Sequence, residues 1–268
     1  MSNEIRGYGA RPVIKAEKSK YLPVSNKLKI GLFPKTEIKN HMEKYSVDLS
    51  CCTPDDPAAY ETFSDYISRS FREGERPFDA SPEALICPCD GCLTAHFINQ
   101  FCTIPLDGHM YSVEKLLDHD ECAREFAGGL ALIIRLEESD PHRFIQIDDG
   151  IIEECRVLSA ERDTEGSLFF GPRSFTLMNT RHFHTVAQIE ACGHIKGVEQ
   201  FTPEGDHPVL NKGQDKGRFL CAGGGIILLF KKGMVFPDDE FMANTRRHLE
   251  TRVRMGERIG TAISASLS

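Results

Sequence analysis

Lys216–Met234 reads Lys-Gly-Arg-Phe-Leu-Cys-Ala-Gly-Gly-Gly-Ile-Ile-Leu-Leu-Phe-Lys-Lys-Gly-Met. Ile226–Phe230 is an apolar run too short for a lone helix, and its β-branched start predicts a buried strand. Gly223–Gly225 place side-chain-free backbone directly before it. Glycines in that position permit positive φ or the close approach of another group. On residues alone, the stretch is a tight turn or bulge entering a core strand.

Other segments extend this pattern outward. Leu130–Leu136 follows Gly128-Gly129 and predicts a second buried strand. Leu85–Cys89 and Cys92–Ile98 flank the turn pair Asp90-Gly91. Ile145–Ile147 and Val186–Ile189 add shorter strands. Phe33–Tyr45 predicts a helix, with Pro34 in its first turn and Ile38, Met42 and Tyr45 on one face. Asp55–Arg72 predicts another, striped by Tyr60, Phe63, Ile67 and Phe71. Ser112–Phe126 reads as a helix with Ser112 as N-cap, and a last helix is expected from about Asp238 to Ile259. Helices at both ends of a strand-rich middle predict an α+β domain with an antiparallel core over 33–268 and a C-terminal helix. Residues 1–32 lack sustained periodicity and read as an extended basic arm.

Composition narrows the function. The net charge of −8 over 268 residues argues against a nucleic-acid partner. Residues 1–40 nevertheless carry nine lysines and arginines against three glutamates. Such a tail suits either solvent or peripheral contact with an anionic membrane surface. No signal peptide and no membrane span are read, and the ten irregularly spaced cysteines are expected to be reduced thiols in a cytoplasm.

Several blocks together carry a resemblance. They are Cys87-Pro88-Cys89-Asp90-Gly91, Asp107-Gly108-His109-Met110-Tyr111-Ser112, Phe126-Ala127-Gly128-Gly129, Asp140-Pro141-His142-Arg143, Asn244, and Glu250-Thr251-Arg252-Val253-Arg254-Met255-Gly256-Glu257. In this order, from about Lys35 to Gly260, the chain resembles the phosphatidylserine decarboxylases, which are pyruvoyl enzymes. Members of that family cut their own chain at a Gly–Ser bond, and the serine becomes the pyruvoyl cofactor.

The resemblance aligns Gly223 with the family's glycine and Gly224 with its serine. Asp90 matches the family's orienting carboxylate, and His142 the first histidine of a His-Arg-x-His pair. The second, the usual base, falls on Ile145. The family's His-Thr-Val-Asn-Pro segment is missing between Gly150 and Ser174. His184-Thr185-Val186 lies in a later block and reads as coincidence. Cys221 offers a substitute thiol nucleophile, but it stands three residues upstream of the aligned bond.

With nucleophile, base and loop all absent, the expectation is an unprocessed chain without pyruvoyl. Its expected ligand is a phospholipid head group or an amino-acid-like small molecule. Self-association or an active paralogue are further expected partners. Two alternatives stand beside this reading. One is an active decarboxylase of phosphatidylserine or a related amine using pyruvoyl by a variant mechanism. The other is a metal-dependent enzyme: Glu190, Cys192 and His194 alternate onto one strand face, and with Cys221 they offer ligands that zinc accepts.

Overall fold

In the computed structural model, the described residues are 11–12, 35–106, 109–159, 161–162, 168–170, 172–192, 197–220 and 223–263. Apart from Arg11–Pro12, which pairs with Leu249–Glu250, the basic arm lies outside them. The strand expected at Ile226–Phe230 is Gly225–Phe230, every residue of which is buried. It pairs antiparallel with Leu130–Arg135 on one side and with His184–Ala191 on the other. Ile226, Leu228 and Phe230 face one apolar core, while Ile227 and Leu229 face another. Burial on both faces explains why the run is continuously apolar rather than alternating.

These strands form the middle of a nine-stranded antiparallel sheet. Beyond Leu130–Arg135 lie Gly91–Phe97, Leu249–Val253 and Arg11–Pro12; beyond His184–Ala191 lie Arg173–Thr180, Gly150–Leu158 and Val209–Leu210. Two three-stranded sheets contribute to the first core. One joins Arg143–Ile145, Val198–Gln200 and Asp215–Phe219, and the other joins Ala84–Ile86, Val235–Pro237 and Arg258–Ala262. Leu85, Phe144, Phe219, Val235 and Ile259 are their contributions to it.

The helices are shorter than the periodicity predicts. Lys35–Tyr45 (α1) forms as expected. The helix expected over Asp55–Arg72 is a single turn at Pro57–Ala59 followed by Phe63–Ile67 (α2). Asp56 and Thr62 cap these two pieces by accepting from the Ala58 and Asp65 backbone N–H groups. Each cap starts a new helix, so the apolar stripe survives although the helix is broken. Tyr60, Phe63, Tyr66 and Ile67 still bury together with Ile38 of α1.

Ser112 caps Val113–Leu117 (α3) as expected. Asp118 then adopts φ +52°, which breaks the run before Asp120–Arg124 (α4). Both helices cover the second core. The final helix, Asp239–Arg246 (α5), stops well before Ile259; His248 has φ +58°, and the chain continues as the strands Leu249–Val253 and Arg258–Ala262. No helix among the described residues is long and apolar enough to cross a membrane.

Gly129 fixes the entry to the central strands. A Cβ there would lie 1.9 Å from the Phe230 carbonyl oxygen. Only glycine allows Leu130–Arg135 to start this close to its neighbour.

Candidate functional site

The small sheet containing Asp215–Phe219 delivers the glycine segment to the core. The Phe219 N–H donates to the His142 carbonyl at 2.8 Å, and the Leu220 N–H to Gly197 at 2.8 Å. After residues 221–222, which lie outside the described residues, Gly223 has φ +82° and Gly224 φ +119°. The Gly224 carbonyl accepts from the Leu136 N–H at 3.0 Å, and pairing resumes at Gly225 opposite Ala191 and Arg135.

The two positive-φ glycines differ in their surroundings. A Cβ on Gly223 would meet nothing within 4 Å. One on Gly224 would stand 2.9 Å from the Ala191 carbonyl oxygen and 3.3 Å from the Phe219 ring. Gly224 is therefore both conformationally and sterically a glycine position.

His142 is fully buried beside this segment. Its Nδ1–H donates to the Asp140 carbonyl at 2.6 Å, and its Nε2 accepts the Gly223 N–H at 2.8 Å. Those two bonds require the neutral ring with its proton on Nδ1. Burial pushes the imidazole down to about 4, against the opposing influence of Asp140. At neutral pH, His142 is thus an uncharged acceptor whose lone pair is already committed to backbone.

Asp90 is 4% exposed. It accepts from Arg76 Nη2 at 3.0 Å and from the Met255 N–H at 2.8 Å. Burial raises its pKa, with Asp140 adding to the rise and Arg76 opposing it. Ile145 is nearby, its N–H bonded to the Pro88 carbonyl at 2.9 Å, and its side chain is 7% exposed. The structure therefore brings Ile145 to the Asp90 turn and His142 to the glycines. Asp90 itself is held by arginine and backbone, not by a histidine.

The sequence comparisons bear on the same residues. Residues 63–261 match the family model described as phosphatidylserine decarboxylase. The chain is 31% identical over 238 residues to a phosphatidylserine decarboxylase proenzyme of Clostridium perfringens, covering 84% of this chain and 80% of that one. It is 32% identical over 238 residues to the proenzyme of Ruminiclostridium cellulolyticum, covering 84% and 78%. It is 29% identical over 233 residues to proenzyme 2 of Clostridium acetobutylicum, covering 84% and 78%. The chain belongs to the phosphatidylserine decarboxylase family.

Within this family frame, His184-Thr185-Val186 opens the strand His184–Ala191 at the end away from the glycines. Val186 pairs with Phe230, whereas Ala191 pairs with Gly225. At about 3.4 Å per residue, His184 is roughly 20 Å along the strand from Gly224.

The proposed zinc ligands fare differently. Cys192 is buried in the core that contains Cys89, Phe144 and Phe219. It is disulfide-bonded, however, which corrects the expectation of a free thiol there. A disulfide sulfur is not the thiolate that zinc binds. His194 and Cys221 lie outside the described residues. Among the described residues, no three His, Cys, Asp or Glu side chains gather as a metal site. Eight other cysteines are free.

A buried polar network next to the glycines was missed by sequence reasoning. Glu190 and Lys216 are both 0% exposed and pair at 3.1 Å. Glu190 Oε1 also accepts from Gln188 Nε2 at 2.9 Å, and Oε2 from Ser174 Oγ at 2.8 Å and Gln200 Nε2 at 3.0 Å. Lys216 Nζ further donates to Thr176 Oγ1 at 3.1 Å. Its signal was legible in principle: Gln188 and Glu190 alternate onto one face of an otherwise apolar strand, which requires a buried partner.

Two outcomes are expected. Lys216→Met removes the cation that pairs with buried Glu190, so urea melts should show a loss of about 3–5 kcal/mol. Adding Glu190→Gln should recover part of it, and no recovery would contradict the pairing. For His142, the folded pKa of about 4 lies below the ordinary 6.5, so the unfolded chain protonates first as pH falls. The associated stability is complete above 6.5 and is lost as the pH drops toward 4. Between about pH 7.5 and 4.5 the wild type should lose about 2–3 kcal/mol more than His142→Gln. Equal pH slopes in urea melts would sink this assignment.

Proposed function

We propose that this phosphatidylserine decarboxylase-like protein of phospholipid metabolism stays a single uncut chain and carries no pyruvoyl group. The observation that carries the reading is Gly224. Aligned with the family's processing serine, it has φ +119°, and its Cβ position is 2.9 Å from the Ala191 carbonyl. Chain cleavage of the family type begins with a hydroxyl attacking the preceding carbonyl and needs a base to take its proton. Gly224 has no hydroxyl, and Ile145 accepts no proton. His142 is the basic group beside the segment, but its Nε2 holds the Gly223 N–H.

What remains is a family scaffold with its glycine segment closed by hydrogen bonds. The proposed role is non-catalytic: retention of a phospholipid head group or amino-acid-like ligand, or partnership with an active paralogue. The basic arm of residues 1–32 fits peripheral contact with an anionic membrane.

Labelling with a hydrazine reagent tests for the ketone. The wild-type protein should take up no label, and a labelled chain would contradict the proposal. Gly224→Ser with Ile145→His should also fail to cleave. The serine enters a positive-φ position against the Ala191 carbonyl, a strain of about 1–3 kcal/mol. Efficient cleavage in that double variant would mean the segment reorganises readily and the lesion is only two residues deep.

A further inference from the structure

A cleft of about 310 Å³ opens where the turns Asp148-Asp149 and Arg181-His182 meet Lys212, with Phe78 and Pro82 as an apolar wall. Asp90, His142, Gly223 and Gly224 do not line it. The two turns are tied together, the Arg181 N–H donating to the Asp149 carbonyl at 2.8 Å. Phe78 is held over Gly213, where a Cβ would come within 2.3 Å of its ring, yet it remains 39% exposed.

The polar groups here are fixed in place and incompletely matched. Asp148 is 0% exposed, and both of its oxygens serve one residue. Oδ2 accepts the His182 N–H at 2.7 Å, and Oδ1 accepts the ring Nδ1–H at 2.8 Å. A carboxylate is costly to bury, and this one orients a single imidazole. In the neutral ring, a proton on Nδ1 leaves Nε2 as an acceptor. That nitrogen has no partner among the described residues, and the side chain is 25% exposed. Asp149 Oδ1 accepts the Lys212 N–H at 2.8 Å, which leaves Oδ2 without a partner among the described residues. Lys212 Nζ donates to the Ser81 and Ala84 carbonyls, both at 2.7 Å, and keeps a third N–H. Burial lowers the Lys212 pKa, while Asp148, Asp79, Glu83 and Asp149 oppose the fall. Arg181 is exposed and has no ion pair among the described residues.

The formal charges of the lining balance, with Asp148 and Asp149 against Arg181 and Lys212. A simple anion would meet the two carboxylates, and a simple cation would meet the two cations. A ligand that carries both charges a few bonds apart avoids each conflict. We propose that this cleft binds a free α-amino acid with an apolar side chain. Its ammonium donates to His182 Nε2 and Asp149 Oδ2, and its carboxylate accepts from Arg181 and Lys212. Its side chain lies against Phe78 and Pro82. This gives the amino-acid-like ligand of the proposed non-catalytic role a location, and it rests on that reading only for its biological purpose.

The test is titration calorimetry of the full chain at fixed ionic strength. L-phenylalanine and L-leucine serve as zwitterionic probes. Phenethylamine lacks the carboxylate of phenylalanine, and 3-phenylpropanoate lacks its ammonium. Saturable binding of at least one amino acid is expected. Each truncated analogue should bind about tenfold or more weakly than L-phenylalanine, the loss expected when charged hydrogen bonds are removed. Arg181→Met, at an exposed position, should weaken amino-acid binding about tenfold and leave phenethylamine binding unchanged. Asp149→Asn should weaken amino-acid binding and leave 3-phenylpropanoate binding unchanged.

Absence of saturable binding of both amino acids to the wild type would overturn the proposal. So would a truncated analogue that binds as tightly as L-phenylalanine, or unchanged amino-acid affinity in Arg181→Met. Chain length is read separately by mass, so a failure here leaves the uncut-chain reading standing. Cleavage at the glycines would in turn leave this cleft untouched, because no glycine-segment residue lines it.

Discussion

Gly225–Phe230 is hydrogen-bonded along both edges and buried on both faces, and this confinement sets the geometry of everything around it. A strand enclosed on four sides cannot slip by a residue without exchanging its two apolar faces. Its register therefore fixes where the preceding glycines stop. Gly224 is held against Ala191 because Ala191 pairs with Gly225, and it is tied to Leu136 because Arg135 pairs with Gly225 as well. His142 reaches the segment through the neighbouring small sheet, where its own carbonyl binds the Phe219 N–H. The glycine turn is thus a consequence of sheet register, and the packing around residue 224 suits glycine.

The polar residues around that core divide by how their charges are settled. Glu190 is saturated by Lys216 and three neutral donors, so its burial is tolerated within a closed network. Asp90 and Asp140 each hold an arginine. His142 avoids charge altogether by staying neutral between a carbonyl and an N–H. Arg69 is held differently: its guanidinium donates to the Ser139 carbonyl at 2.7 Å and lies over the Tyr66 ring.

The central strands were legible because long β-branched and apolar runs next to glycines have few alternatives. Ile226–Phe230, Leu130–Leu136 and Val186–Ile189 are all strands, each within a few residues of its expected limits. The helices were less legible. The stripe through Tyr60, Phe63 and Ile67 is buried as a helical stripe should be, yet Asp56 and Thr62 divide it by capping two separate starts. After α5, Thr251 and Val253 enter the large sheet, and tertiary pairing outweighs the helical pattern read there. At the site, Asp90, His142, Ile145 and the glycines were singled out by family resemblance, and the structure places His142 Nε2 on the Gly223 N–H. The Lys216–Glu190 pair required knowledge of which strands face each other, because those residues are 26 positions apart.

The central claim is that a glycine held by sheet register has replaced the self-processing serine of the family. An intact mass spectrum of the purified full-length protein tests it most directly. The account predicts one species at the full-chain mass of 30.0 kDa. Two chains, the smaller beginning near Gly224, would contradict it.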